Sequence, residues 1–579
     1  MEPTENNNIK TGNKSYFFRA YLIVAIAAVG MLGFKKFLPS KIFTETPGNT
    51  KNVVVDSLML EALEDAKKEK ASGKDTLGKA QLSYEETYGV KFPAETTEDY
   101  KGYQYLIPFY EKLMQLEKTG EGNVRIAYFG DSMTDGDMIV KDLRAKLQAR
   151  FGGEGVGFVN ITSESAPSRS TLTHMFSDNW KTQSYLKVKH PARPFGVNGH
   201  VFFAKHDTVS PAWVQYAAKN VSHLTSLNSP TLFYGRSGNG NAQVRVVVGK
   251  DTIVKKLTAT GLLNTVKLGD AYRGFKASFI KADTIPFYGF NFDNGKGVHV
   301  DNFSNRGNSG LAIGNFNTPL MKAFQEKLGY DLIVLHYGTN VLNYGTRDYT
   351  WYEKRMARVV AHLRECFPGT AILIISTADK STKYGTEMKT DSAVVPLTRA
   401  QKRFAEKSGA GYVNLYTLMG GNGSMVKWVE EEPARANKDY THFNFRGSKQ
   451  IGDLIYNQLN NGYEKYKALR GGKPLPKDAV IDLSVPKPQK PDTNAKPDSF
   501  KLAPQKAPLP AGGAASPKAT VPGVVKPAAG TTVKPGTNAG KPAATAAPAT
   551  KPTVQPAAPV NKPVVKPVVT PKADTTHVQ

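Results

Sequence analysis

Cysteine is all but absent from this 579-residue chain. Cys366 stands alone, so no intrachain disulfide can form and cysteine usage leaves the redox compartment open. It follows a helical pattern just before Pro368 and reads as a packed thiol. Acidic residues are also short, 50 against 76 basic ones, for a formal charge of +26. The shortage deepens from Pro474 to Gln579, where there is no Glu and no Arg, and fourteen Lys against five Asp give +9. Nine Lys-Pro dipeptides punctuate that stretch. Too few large apolar residues remain to offset the entropy of ordering, so 474–579 is expected to be a disordered, polyproline-like tail. Without Arg and interleaved aromatics it does not fit a nucleic-acid binder. A basic tail of this kind suits an anionic envelope polymer or a membrane surface, or serves as a solvated linker.

Long apolar runs are equally rare. Tyr16 to Phe34 is the candidate span, interrupted only by Arg19, and short unless that arginine snorkels. No small-x-small cleavage site followed by a mature start is evident before Lys35 and Lys36. The expectation is an uncleaved signal anchor or transmembrane helix at 16–38, after a cytoplasmic N-terminus at 1–15; a cleaved signal peptide is the second reading. Lys10, Lys14 and Arg19 balance Lys35, Lys36 and Lys41, so flanking charge does not set orientation. Residues 39–104 read as a linker with lead-in helices.

Four short motifs follow in order: Gly130-Asp131-Ser132-Met133, Asn308-Ser309-Gly310, Gly338-Thr339-Asn340 and Asp439-Tyr440-Thr441-His442. They supply the parts of a serine esterase. Ser132 would be the nucleophile, His442 its general base, and Asp439 the carboxylate that orients and stabilises the imidazole. The run Val124 to Phe129 reads as a buried strand, and Ile139, Leu143, Leu147 and Phe151 mark a helix face after it. Ser132 is therefore expected at a strand-to-helix turn, with its own N–H available to an oxyanion. A calcium loop over Asp131, Asp135, Gly136 and Asp137 is rejected, because Met133 and Asp142 hold positions that need an oxygen ligand and a Glu. A phosphatase-like Asp pair fails at Met133 as well.

Asp331 to Tyr337 is a second buried strand and ends directly in Gly338-Thr339-Asn340, which puts Asn340 at a strand's carboxyl end, where ligand groups gather in open α/β sheets. His336, inside that strand, is expected to pack. Ala371 to Ser376 and Gly411 to Leu418 read as further strands, with helices from Trp351 to Cys366, Pro396 to Lys407 and Gly447 to Tyr463. This alternation argues an α/β fold with a doubly wound parallel sheet.

The ordered quartet resembles the SGNH (GDSL-type) hydrolase family, with Met133 in place of the family's frequent Leu. The resemblance implies that Gly310 and Asn340 complete the oxyanion hole with Ser132, and that no metal or other cofactor is needed. One spacing departs from the compact family: Ser132 and Gly310 are 178 residues apart. Between them, runs such as His200 to Phe203, Ala212 to Ala217, Val244 to Val248 and Phe287 to Phe292 alternate with turn residues, the pattern of a β-sandwich. The expected division is a first catalytic part at 105–180, an inserted, separable, carbohydrate-binding-like sandwich at 181–292, and a second catalytic part at 293–473. Such an insert, with Leu143-Arg144, Leu147-Gln148 and the glycine-rich Phe151 to Phe158, is similar to the bacterial peptidoglycan O-acetylesterase branch. Tyr216, Phe233, Tyr234 and Tyr288 offer rings for sugar stacking, or for the core.

These expectations describe a membrane-tethered, extracytoplasmic (periplasmic) esterase that removes acetyl groups from an envelope or dietary polysaccharide, O-acetylated peptidoglycan first. A polysaccharide O-acetyltransferase and a non-catalytic wall-binding protein are the alternatives.

Overall fold

The structure, a computed structural model of the chain, describes Tyr21, Leu22 and Ala25, residues 57–69, Tyr84, and residues 88–205, 210–342 and 347–471. The expected tail lies outside the described residues, as does the expected anchor apart from Tyr21, Leu22 and Ala25. Among the described residues no helix is long and apolar enough to cross a membrane.

Five parallel strands form the central sheet, in the order Gly297–Asn302, Asn123–Gly130, Tyr330–His336, Ala371–Ile375, Gly411–Val413. Their near-continuous apolar sequences follow from burial on both faces. Side chains alternate across the sheet with period two. Ile126, Tyr128, Leu332 and Val334 point into one core with the helices Ile107–Thr119, Val140–Phe151 and Phe445–Arg470. Ala127, Phe129, Ile333 and Leu335 point into the other, against Thr318–Leu328, Thr350–Cys366 and Val394–Ser408. The sheet is thus wound on both faces. A helix at Ser57–Glu69 adds Met59 and Ala62 to the second core.

Two expectations change here. Gly411 to Leu418 is not one strand: it stops at Val413, and Asn414 caps the helix Leu415–Met419 by accepting a hydrogen bond from the Thr417 N–H. An Asn before an apolar helical repeat supplies the acceptor that the first turn lacks, and this outweighs the apolar run's strand tendency. Nor does a helix open directly at Ser132. The chain first makes a tight turn, with a 3-10 segment at Asp135–Asp137, and the helix begins at Val140.

Between the first two chain segments of the parallel sheet lie two antiparallel sheets. One runs Asp251–Lys256, Gln243–Val248, Gly274–Ile280, Ala212–Ala218, Leu172–Phe176; the other Leu263–Lys267, Thr231–Gly235, Phe287–Asp293, His200–Ala204, Trp180–Ser184. Their inner faces share one core, in which Tyr216 and Phe275 of the first sheet meet Phe290 of the second at 5.4 and 5.8 Å between ring centroids.

This pair of sheets begins before Lys181, the expected start of the insert. Leu172–Phe176 and Trp180 already belong to it, and Gly155–Val159 pairs with Phe287–Asp293. The glycine-rich run explains how. A Cβ on Gly155 would lie 2.2 Å from the Phe292 carbonyl oxygen, and one on Gly157 would lie 2.0 Å from Asp301 Oδ1. Both residues also have positive φ. Only glycine lets this strand lie so close to both the antiparallel sheet and the edge strand Gly297–Asn302.

The four aromatics offered for sugar stacking are buried. Tyr216 and Tyr234 fill the core between the antiparallel sheets. Phe233 and Tyr288 pack on Phe324 of the helix Thr318–Leu328, at 5.9 and 5.4 Å between centroids. They join the antiparallel sheets to the α/β layer instead of facing solvent.

Candidate active site

Ser132 follows the carboxyl end of Asn123–Gly130, where the Thr134 and Asp135 N–H groups both donate to the Asp131 carbonyl and close the turn. Ser132 Oγ lies 2.9 Å from His442 Nε2. On the far side of the ring, His442 Nδ1 lies 2.8 Å from Asp439 Oδ2. A carboxylate only accepts, so Nδ1 carries the proton and Nε2 is left to accept the serine hydroxyl. The three-residue spacing works because Tyr440 takes a left-handed φ of 53° and the loop folds onto the carboxylate. Asp439 Oδ1 then accepts the backbone N–H groups of Thr441 at 3.0 Å and His442 at 2.9 Å. Partial burial pushes Asp439 up, but the hydrogen bonds and charge of His442, with the Thr441 N–H, outweigh this and hold it below the usual carboxylate range.

Asn340 stands just past the end of Tyr330–His336. Its Nδ2 donates to the Asn308 carbonyl at 3.1 Å and to Asp131 Oδ2 at 3.3 Å. Gly310, at φ 92°, donates its N–H to Asn308 Oδ1 at 2.8 Å. The structure therefore draws Ser132, Asn340 and Gly310 around two residues that motif reading left without a role, Asp131 and Asn308. Asn308 holds both expected oxyanion donors, one on its side-chain oxygen and one on its carbonyl. Among the described residues no hydrogen bond engages the Ser132 N–H. Burial raises the Asp131 carboxyl to about 6, against the Met133 N–H, the nearby His442 and Thr339, which lower it.

Three tyrosines brace the Asn308 to Gly310 segment. Tyr352 OH donates to the Ser309 carbonyl at 2.8 Å. Asn308 Nδ2 donates to Tyr185 OH at 2.9 Å and Tyr337 OH at 3.2 Å. Their distances along the chain follow no period, so no sequence signal marks them. His336 packs in its strand, as read from sequence, with Nδ1 2.8 Å from Tyr128 OH. Cys366 is buried and its thiol is pushed up to about 11 by desolvation.

A parallel α/β sheet that presents a hydrogen-bonded Ser-His-Asp chain at its carboxyl edge is the arrangement of a serine hydrolase. Residues 285–450 match the GDSL-like Lipase/Acylhydrolase family. With Gly310, Asn340, Asp439 and His442 inside the matched segment, the chain is a serine hydrolase of the esterase type. A solved peptidoglycan O-acetylesterase has this fold: 20% identity, 62% of this chain and 96% of that one covered, TM-score 0.51. A family two carbohydrate esterase from Cellvibrio japonicus matches at 11% identity over 51% of this chain and 98% of that one, with a TM-score of 0.22. No curated protein matches by sequence.

Proposed function

We propose that the protein removes O-acetyl groups from an envelope polysaccharide, with peptidoglycan as the substrate, through an acetyl-enzyme. The observation that carries this is the hydrogen-bonded line from Ser132 Oγ through His442 to Asp439. Ser132 attacks the ester carbonyl as His442 Nε2 takes its proton. The imidazolium, stabilised by Asp439, returns that proton to the departing sugar hydroxyl. Negative charge on the carbonyl oxygen is met by the Ser132 N–H and, as Asn308 and Asp131 yield their bonds, by Gly310 and Asn340. Water, deprotonated by His442, then releases acetate. The side chains of His442 and Asp439 are 38% and 41% exposed, which gives water direct access and favours hydrolysis over transfer to a second sugar.

Peptidoglycan is chosen because the solved structure sharing the fold over nearly its whole length bears that activity in its name. In this reading the N-terminal apolar run anchors the enzyme in the cytoplasmic membrane with its catalytic part outside, and the basic tail follows an anionic envelope polymer.

The test is acetate release from O-acetylated peptidoglycan and from acetylated xylan, by the wild type and by Ser132→Ala. Faster release from peptidoglycan, lost in the variant by several orders of magnitude, supports the reading. Preference for xylan would redirect the substrate, and activity retained in Ser132→Ala would remove the nucleophile.

A further inference from the structure

We infer that Tyr185, in the turn that follows the strand Trp180–Ser184 of the antiparallel sheets and packed in the core of the α/β layer, is a positioning residue that sets the oxyanion loop through Asn308. The inference rests on the reading of Gly310 and Asn340 as oxyanion donors and goes beyond it by giving the inserted sheets a part in the chemistry.

Tyr185 follows the strand Trp180–Ser184 and is buried. Its ring is fixed from several sides. It stacks on Phe316 at 5.9 Å and 14° and meets Phe195 edge-on at 6.2 Å. Its N–H donates to the Gly199 carbonyl at 3.0 Å, and Gly199 lies so close that a Cβ there would be 2.5 Å from the ring.

The hydroxyl accepts from two amides, Asn308 Nδ2 at 2.9 Å and Asn305 Nδ2 at 3.2 Å. Both lone pairs are then engaged. A hydroxyl occupied in this way can only accept from Asn308. That decides which end of the Asn308 amide faces it, and so which end faces Gly310. With Nδ2 on the tyrosines, Oδ1 must receive the Gly310 N–H, as it does at 2.8 Å. The reversed amide would set Nδ2 against that N–H, donor against donor, and turn the peptide away. The Asn308 carbonyl meanwhile holds Asn340 Nδ2 at 3.1 Å. The Tyr185 hydroxyl, at the shorter distance, and that of Tyr337 thus hold the residue that touches both donors, in a buried setting where an orientation error is not corrected by water.

Tyr185→Phe tests this, because it keeps the ring and removes only the hydroxyl. On a small aryl acetate kcat should fall about tenfold, the loss of roughly 1.4 kcal/mol of transition-state stabilisation, with KM within twofold of wild type. Because both residues act through Asn308, the Tyr185→Phe, Asn340→Ala double variant should lose less than the product of the single losses. Wild-type turnover that disappears in Ser132→Ala is the reference, so a failure of the esterase reading shows separately. An unchanged kcat in Tyr185→Phe, or losses that multiply independently, would overturn the inference. Should near-ultraviolet circular dichroism show that Tyr185→Phe is misfolded, Asn308→Ala takes its place. It leaves the ring stack intact and must show the same fall in kcat at constant KM; retained kcat there would also overturn the inference.

Discussion

Arg125 Nη1 lies 2.7 Å from Asp293 Oδ2, an ion pair between the parallel sheet and the last strand of the antiparallel ones. Its Nε reaches Asp301 Oδ2 at 2.8 Å on the neighbouring parallel strand, and Tyr330 OH donates to that same carboxylate oxygen at 2.7 Å. The guanidinium and both carboxylates are buried. Such a cluster is a seam, and it argues against the separable module expected from sequence. Replacing residues 181–292 by a flexible linker should give a protein without a cooperative melting transition. The strand Gly155–Val159 would lose its partner, Phe324 would be uncovered, and Tyr185 would be gone. A linker variant that melts cooperatively and hydrolyses a small aryl acetate normally would contradict this.

Arg125→Met isolates the ion pair. It leaves two buried carboxylates without their cation, which should cost about 3 to 5 kcal/mol, far more than deleting an exposed pair. Urea denaturation at neutral pH measures it. A loss under about 1 kcal/mol would mean that the seam is held by Phe233, Tyr288 and Phe324 alone.

Two buried carboxylates give opposite pH dependences. Burial raises Asp293, but Arg125 and His299 overcome this and hold it well below the ordinary range. Its contribution is therefore complete above an unfolded value of about 3.9 and is lost as pH falls through the depressed folded value. Asp331, at the opposite edge of the sheet from Asn340, is raised by burial to about 6, with the Arg125 N–H and Lys112 only partly compensating. The folded protein binds that proton more tightly than the unfolded chain, so stability falls as pH rises from about 4 to 6. Asp331→Asn keeps an acceptor for the Arg125 N–H and removes the titration. It should abolish about 2 to 3 kcal/mol of decline between pH 4 and 7. Denaturation curves at the two pH values, in wild type and variant, decide; an equal decline in both would assign the effect to other groups.

Gly310→Ala separates room from chemistry. A Cβ at Gly310 would lie 2.8 Å from the Tyr337 ring and 3.2 Å from Met356 Cε, at a φ of 92° that disfavours any side chain. The variant should be destabilised by about 1 to 3 kcal/mol, and because its N–H is displaced, kcat should fall more than KM rises. A stable variant with normal kcat would take Gly310 out of the oxyanion hole.

What could be read in the sequence was what local pattern determines. Val124 to Phe129 and Asp331 to Tyr337 declare buried parallel strands by composition, and the order of the four motifs placed Ser132, Asn340 and His442 at loops that the fold brings together. The boundary of the antiparallel sheets was not legible, because Gly155–Val159 looks like any glycine-rich turn until Asp301 and Phe292 are seen against it. Tyr185 was hidden for the same reason. Its partner Asn308 is 123 residues away, and no period or composition encodes a contact of that range. The aromatics of the insert were ambiguous between core and ligand, since a ring's chemistry is the same in both places and only burial tells them apart.

Asp439 offers the sharpest test of the triad. Its carboxylate takes three hydrogen bonds from Thr441 and His442, and these keep it ionised below the ordinary carboxylate range. Its own titration therefore lies outside pH 5 to 9, and any limb of the rate profile there belongs to another group. Asp439→Asn preserves the size of the side chain but allows its amide to donate, so Nδ1 of His442 is invited to accept and Nε2 to carry the proton. In that tautomer the ring cannot take a proton from Ser132. The expected loss is about 10⁴-fold in kcat on a small aryl acetate, at every pH from 5 to 9, with little change in KM or melting temperature. Steady-state kinetics across that range provide the check. A variant that merely shifts the acid limb while regaining full turnover at pH 9 would show that Asp439 only biases protonation and does not fix the imidazole tautomer.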